Sequence, residues 1–111
     1  MNNPLGNLGN LGGLMKQVKK MQEDMQRVQA ELDSARITAS SGGGMVSATV
    51  TGKSELVEVK IDPQVVDPDD VEMLEDLVTS AIREAQETAS KQQSDRMQEI
   101  TGGMGIPPGL I

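Results

Sequence analysis

The sequence predicts an α+β fold: a helix, three antiparallel strands and a second helix. Three patterns carry this reading. Apolar residues recur in heptads before residue 36, apolar and polar residues alternate between 37 and 61, and a helix start at Asp67-Pro68-Asp69-Asp70 opens a second apolar face. The chain has 111 residues, room for one core and not two.

Leu11, Leu14, Val18, Met21, Met25, Val28, Leu32 and Ala35 are spaced 3, 4, 3, 4, 3, 4, 3, an unbroken a/d seam. A helix over residues 14–36 is about 35 Å long at 1.5 Å per residue, too long for so small a domain to cover along one side. Part of it is expected to project or to meet a second chain. The seam residues Leu14, Val18, Met21, Met25, Val28 and Leu32 are therefore expected in the core, in a dimer contact, or in both. Residues 1–13 hold isolated leucines among Asn and Gly and are expected as a flexible leader.

Ile37 to Ser41 begins the alternation, Gly42-Gly43-Gly44 turns it, and Val46, Ala48 and Val50 continue it opposite Ser47, Thr49 and Thr51. Gly52-Lys53-Ser54 turns again, and Val57, Val59 and Ile61 are expected inward on a third strand. In the second helix Asp caps free N–H groups, Pro suits the first turn, and Val71, Leu74, Leu77, Val78, Ala81, Ile82, Ala85 and Ala89 form one face. Gly102-Gly103 ends it. Residues 14–101 are thus expected as a single domain, and 102–111 as a flexible Gly/Pro tail.

Composition removes most enzyme chemistry. The chain has no Cys and no His, hence no thiolate nucleophile, no Cys-ligated zinc and no imidazole base. It has no Phe, Tyr or Trp, so no ring can stack on a base or a sugar. No catalytic residue, metal, cofactor or small-molecule substrate is expected. The triple glycine lacks the Lys-Ser/Thr and following helix of a phosphate-binding loop. With no apolar run of about 20 residues and no signal-like N-terminus, no membrane partner is expected and the location is read as cytoplasmic.

Net charge is −7, but seven acids and no base lie between Asp62 and Asp76, leaving the rest of the chain balanced. On the first helix Lys16, Lys20 and Arg27 fall within about 40° of one another, with Lys19 about 60° to the side, opposite the heptad seam. A phosphate backbone needs such a stripe. Glu23 lies in it and can pair with Lys19 and Arg27, as on any solvated face, so two readings stay open: a DNA-contacting stripe, or a solvated helix in a protein–protein adaptor that docks through its heptad helix or acidic block.

Several short motifs occur in order: Gly-Gly-Leu-Met-Lys-Gln at 12–17, Gly-Gly-Gly-Met-Val at 42–46, Val-Thr-Gly-Lys at 50–53, Ile-Asp-Pro at 61–63 and Met-Leu-Glu-Asp-Leu at 73–77, before a Gly- and Pro-containing tail. This set resembles the YbaB/EbfC family of bacterial nucleoid-associated proteins over nearly the whole chain. The resemblance implies an α-β-β-β-α subunit in a tweezer-like homodimer. It also implies binding to double-stranded DNA in the nucleoid with little sequence preference, altered DNA conformation, and no enzymatic activity. Basic residues of the projecting helices are the implied contacts: Lys16, Lys19, Lys20 and Arg27 on the first helix, and Arg83, Lys91 and Arg96 on the second.

Overall fold

A computed structural model describes the backbone of residues 4–103 and the side chains of residues 11–100. Helix α1 (Pro4–Ser34) leads into strands β1 (Arg36–Ser41), β2 (Val46–Thr51) and β3 (Leu56–Ile61), and α2 (Val71–Gly103) closes the order. The strands form an antiparallel meander, β1-β2-β3. The expected α+β fold is therefore present. Two ends differ from expectation. Helix α1 starts at Pro4 and takes in the segment expected as a leader, because Pro suits a first helical position and Leu11 continues the seam. Helix α2 runs to Gly103, and the remainder of the expected tail lies outside the described residues.

Glycine is required in the first turn, where Gly42, Gly43 and Gly44 adopt φ of 61°, 68° and 93°. The β2–β3 turn is held from inside, with the buried Thr51 hydroxyl accepting from the N–H groups of Lys53 and Glu55 at 3.1 and 3.3 Å. The α2 cap lies three residues later than the sequence suggests. The Asp70 carboxylate accepts from Met73 N–H at 3.2 Å, while Asp67 forms a local turn by accepting from Asp69 N–H. Together with Asp62, which accepts from Gln64 N–H, these bonds show what much of the acidic block does: it terminates and starts backbone elements.

Helix α2 crosses the sheet on a stripe of fully buried alanines. Ala81 packs with Val46 and Ala48, and Ala85 and Ala89 pack with Val50, flanked by Leu74, Leu77, Val78, Ile82, Ile37 and Ala39. Alanines at i, i+4 and i+8 let the helix backbone approach the strands closely. The helix lies over β1 and β2 and leaves β3 largely uncovered. Of the three β3 residues expected inward, only Val59 is half-buried; Val57 and Ile61 are exposed. The pairing explains this. Ala48 faces Val59 and Val50 faces Leu56, which leaves Val57 as an extra, bulged residue. Ile61 faces Val46 but lies outside the cover that α2 provides.

The C-terminal end of α1 is clamped to the β2–β3 turn. Gly52 N–H donates to the Leu32 carbonyl at 2.8 Å, and Lys53 pairs with Asp33 at 2.9 Å. A side chain at Gly52 would begin 2.8 Å from that carbonyl oxygen and 2.9 Å from Leu32 Cα. Further along, Arg96 of α2 bonds Glu31 of α1 at 2.7 Å. From this junction about 38 Å of α2 leads back to Val71, and about 40 Å of α1 leads out to Pro4. The molecule is 82 Å long and 23 × 16 Å across, so these two stretches point in opposite directions. Helix α2 ends only about 10 Å past the junction, and the first twenty or so residues of α1 extend beyond it as a single-helix arm.

Gly52→Ala is expected to lower stability by about 1–3 kcal/mol, the cost of forcing a methyl group into packed backbone. Urea denaturation reads it directly, and an unchanged midpoint would contradict the clamp.

Candidate nucleic-acid interface

The seam divides at the junction. Val28 and Leu32 are 0% and 6% exposed, Met21 and Met25 are half-buried, and Leu14 and Val18 are 56% and 47% exposed. The same apolar spacing therefore serves as core where α2 and the sheet face it, and lies open along the arm where nothing does.

The opposite side of the arm carries Lys16, Lys19 and Lys20. All three are exposed, and among the described residues none of them forms an ion pair. Glu23, expected to pair with Lys19 and Arg27, pairs with neither. Arg27 instead reaches Asp24 at 3.1 Å and Glu31 at 3.9 Å, one turn to either side. The arm thus ends in unneutralised cations, whereas the arginine nearest the junction is held by carboxylates.

The three cations of α2 separate in the same way. Arg83 and Lys91 are exposed and lie away from the alanine stripe, without an ion pair among the described residues. Arg96 falls on the continuation of the stripe, within about 20° of its centre. Past the sheet this face meets α1, and Arg96 bonds Glu31 at 2.7 Å and Glu99 at 2.6 Å. Those bonds, to Glu31 first and Glu99 second, hold its guanidinium above the ordinary arginine range. Lys16, Lys19 and Lys20 therefore come together on one surface, Arg27 and Arg96 meet at Glu31, and Arg83 and Lys91 stand apart on the outer side of α2.

The acidic block lies at the other end. Residues 62–76 span the approach to α2 and its first turns, the end of the molecule opposite the arm. Screening removes most interaction between exposed charges beyond about 8–10 Å, so seven carboxylates at that range do not cancel the field of the arm. Among the described residues no cluster of three or more acidic side chains is placed to hold a metal ion, and no helix is long and apolar enough to cross a membrane.

Sequence reasoning missed the uncovered apolar surface around β3, where Leu56, Val57, Ile61, Val66, Val71 and Met73 are exposed. The Val57 bulge and the narrow reach of α2 create it, and neither leaves a mark in the alternation.

Comparison with known proteins identifies relatives over most of the chain. Residues 7–104 match the family described as the YbaB/EbfC DNA-binding family. A nucleoid-associated protein of Clostridium acetobutylicum is 52% identical over 94 residues, covering 85% of this chain and 84% of that one. One from Alkaliphilus metalliredigens is 47% identical over 103 residues, covering 93% and 90%. In three dimensions the chain is similar to an uncharacterised protein of Helicobacter pylori known from its crystal structure, with a TM-score of 0.69 and 26% identity over 81% of this chain and 91% of that one. With the match extending from the arm to the end of α2, the chain belongs to the YbaB/EbfC DNA-binding family.

Proposed function

We propose that this protein is a nucleoid-associated DNA-binding protein that grips the backbone of duplex DNA with the lysines of its α1 arm and alters the path of the duplex. The observation that carries the reading is the set of unpaired lysines Lys16, Lys19 and Lys20, held on a projecting helix at the far end from the acidic block. Lysine ammonium groups are point charges that bind phosphate without reading base edges, so sequence preference is slight. Arg83 and Lys91 add positive charge on the body, Arg96 chiefly holds α1 to α2 through Glu31, and Arg27 is held within α1 by Asp24 and Glu31. The adaptor reading has less support, because half of the seam is core and the acids of the block that cap turns are already engaged.

The working unit is a homodimer in the nucleoid of the cytoplasm. Its contact is formed by the exposed Leu56, Val57 and Ile61 of the edge strand β3, together with the exposed Val66, Val71 and Met73 that follow it in the chain. An exposed edge strand with apolar neighbours is the surface a second copy covers most readily. Pairing there leaves both arms free, and a duplex held by two arms can be bent or clasped.

Two arms with three free lysines each neutralise about six phosphates, giving a slope of log affinity against log salt near −5. A slope near zero in a mobility-shift titration contradicts backbone binding. The triple change Lys16→Glu, Lys19→Glu, Lys20→Glu abolishes the shift, whereas Arg96→Gln costs less than about threefold in affinity; equal losses would take the arm out of the account. Ile61→Glu, at a site already open to solvent in the subunit, leaves a folded chain that in dilute solution sediments at 11.8 kDa. Retention of twice that mass would move the dimer contact elsewhere.

A further inference from the structure

Along the arm, Leu11, Leu14, Met15 and Val18 are 52%, 56%, 66% and 47% exposed, and they form a shallow apolar strip flanked by the side chains of Lys16, Lys19 and Gln22. Among the described residues this strip is bordered by α1 alone. It has no second side to enclose a small molecule, and α2 ends before reaching it. Leu14 and Val18 are about 160° around the helix from Lys16, so an arm with that lysine on phosphate turns these two residues away from the duplex.

We propose that this free half of the seam is a docking surface for the same residues of a second copy, so that arms from two separate dimers pair antiparallel along their tips. The occupant follows from three features. The 3-4 spacing of Leu11, Leu14 and Val18 suits another helix with the same period, and α1 of a second copy supplies it in a self-complementary contact. The positions bordering the seam are neutral, with Gln17 on one side and Met15 and Gln22 on the other. Lys16 and Lys19 lie beyond these positions, so two chains of net charge −7 meet here without carboxylate opposing carboxylate, which the acidic end does not allow. Antiparallel pairing also keeps the two acidic ends at opposite extremes of the assembly. The contact is small, a few apolar side chains from each arm, and falls below the ~1,200 Å² at which stable interfaces begin. It therefore forms at high local concentration, as among chains crowded on one duplex or on two neighbouring ones. Dimers that bind DNA singly would then be linked into a bridging network.

The test is arranged so that it does not depend on DNA binding. Sedimentation equilibrium of the full chain at rising concentration, without DNA, is expected to show mass growing beyond the dimer. The double change Leu14→Gln/Val18→Gln moves that growth to at least about tenfold higher concentration, and affinity for a duplex too short for two dimers stays within about twofold. In the Ile61→Glu chain, which isolates arm contacts, the same double change removes the remaining concentration-dependent pairs. Because the protein has no cysteine, a single Gln17→Cys beside the seam reports the contact by disulfide formation in that Ile61→Glu chain, whereas Glu23→Cys on the lysine side does not. A mass that stays constant with concentration, a double variant that assembles like the parent, or equal cross-linking at positions 17 and 23 overturns the proposal. A tenfold loss of short-duplex affinity at unchanged assembly also overturns it and assigns the seam to DNA.

Discussion

Strands of six residues extend about 20 Å, whereas helices of 31 and 33 residues extend about 46 and 50 Å. A sheet so short covers little more than a dozen residues of any helix laid on it. Most of what this molecule does follows from that mismatch. Helix α2 spends its first turns and its alanine stripe on the sheet, then overruns the edge and receives the end of α1. Helix α1 has only its last turns covered, through Val28, Leu32 and the close approach of Gly52. The rest leaves the body because no surface remains to receive it.

The mismatch also resolves the sign of the charge. A chain with 17 acidic and 10 basic residues is a poor ligand for DNA if its charges are mixed. Here they are sorted along the long axis of the molecule. Carboxylates gather where turns and a helix start need acceptors for backbone N–H groups, at the origin of α2, while lysines gather on the part of α1 that has nothing to pack against. Among the carboxylates on the inner part of α1 and the end of α2, Asp24, Glu31 and Glu99 are taken up by Arg27 and Arg96, and Asp33 by Lys53. Charge neutralisation is thus concentrated at the junction, where it secures the arm, and is absent among the described residues at its lysines.

Much of this was legible in the sequence. The strands, their order, the glycine turn and the apolar face of α2 followed from periods of 2 and 3.6 with little to compete against them. The heptad seam was legible as a pattern, but not as two functions: whether Leu14 is core or surface depends on where α2 stops alongside it, which is a property of two helices and not of one. The partners of Arg27 were misread because Glu23, Asp24 and Glu31 all stand within a turn of it, and spacing alone does not choose between them. Arg96 did carry a signal, since it continues the stripe of Ala81, Ala85 and Ala89, and a cation on a buried stripe implies a carboxylate across from it. The opening of β3 left no signal, because a one-residue bulge at Val57 is invisible in an alternating run.

The central claim is that positive charge on an outstretched helix, remote from the acidic end, is what meets DNA. Titrating isotopically labelled protein with a short duplex and following the backbone amide resonances tests it residue by residue. The account predicts perturbations gathered between residues 14 and 27, with 62–76 unmoved. Perturbations centred on the sheet or on the start of α2, with residues 16–20 silent, would contradict it.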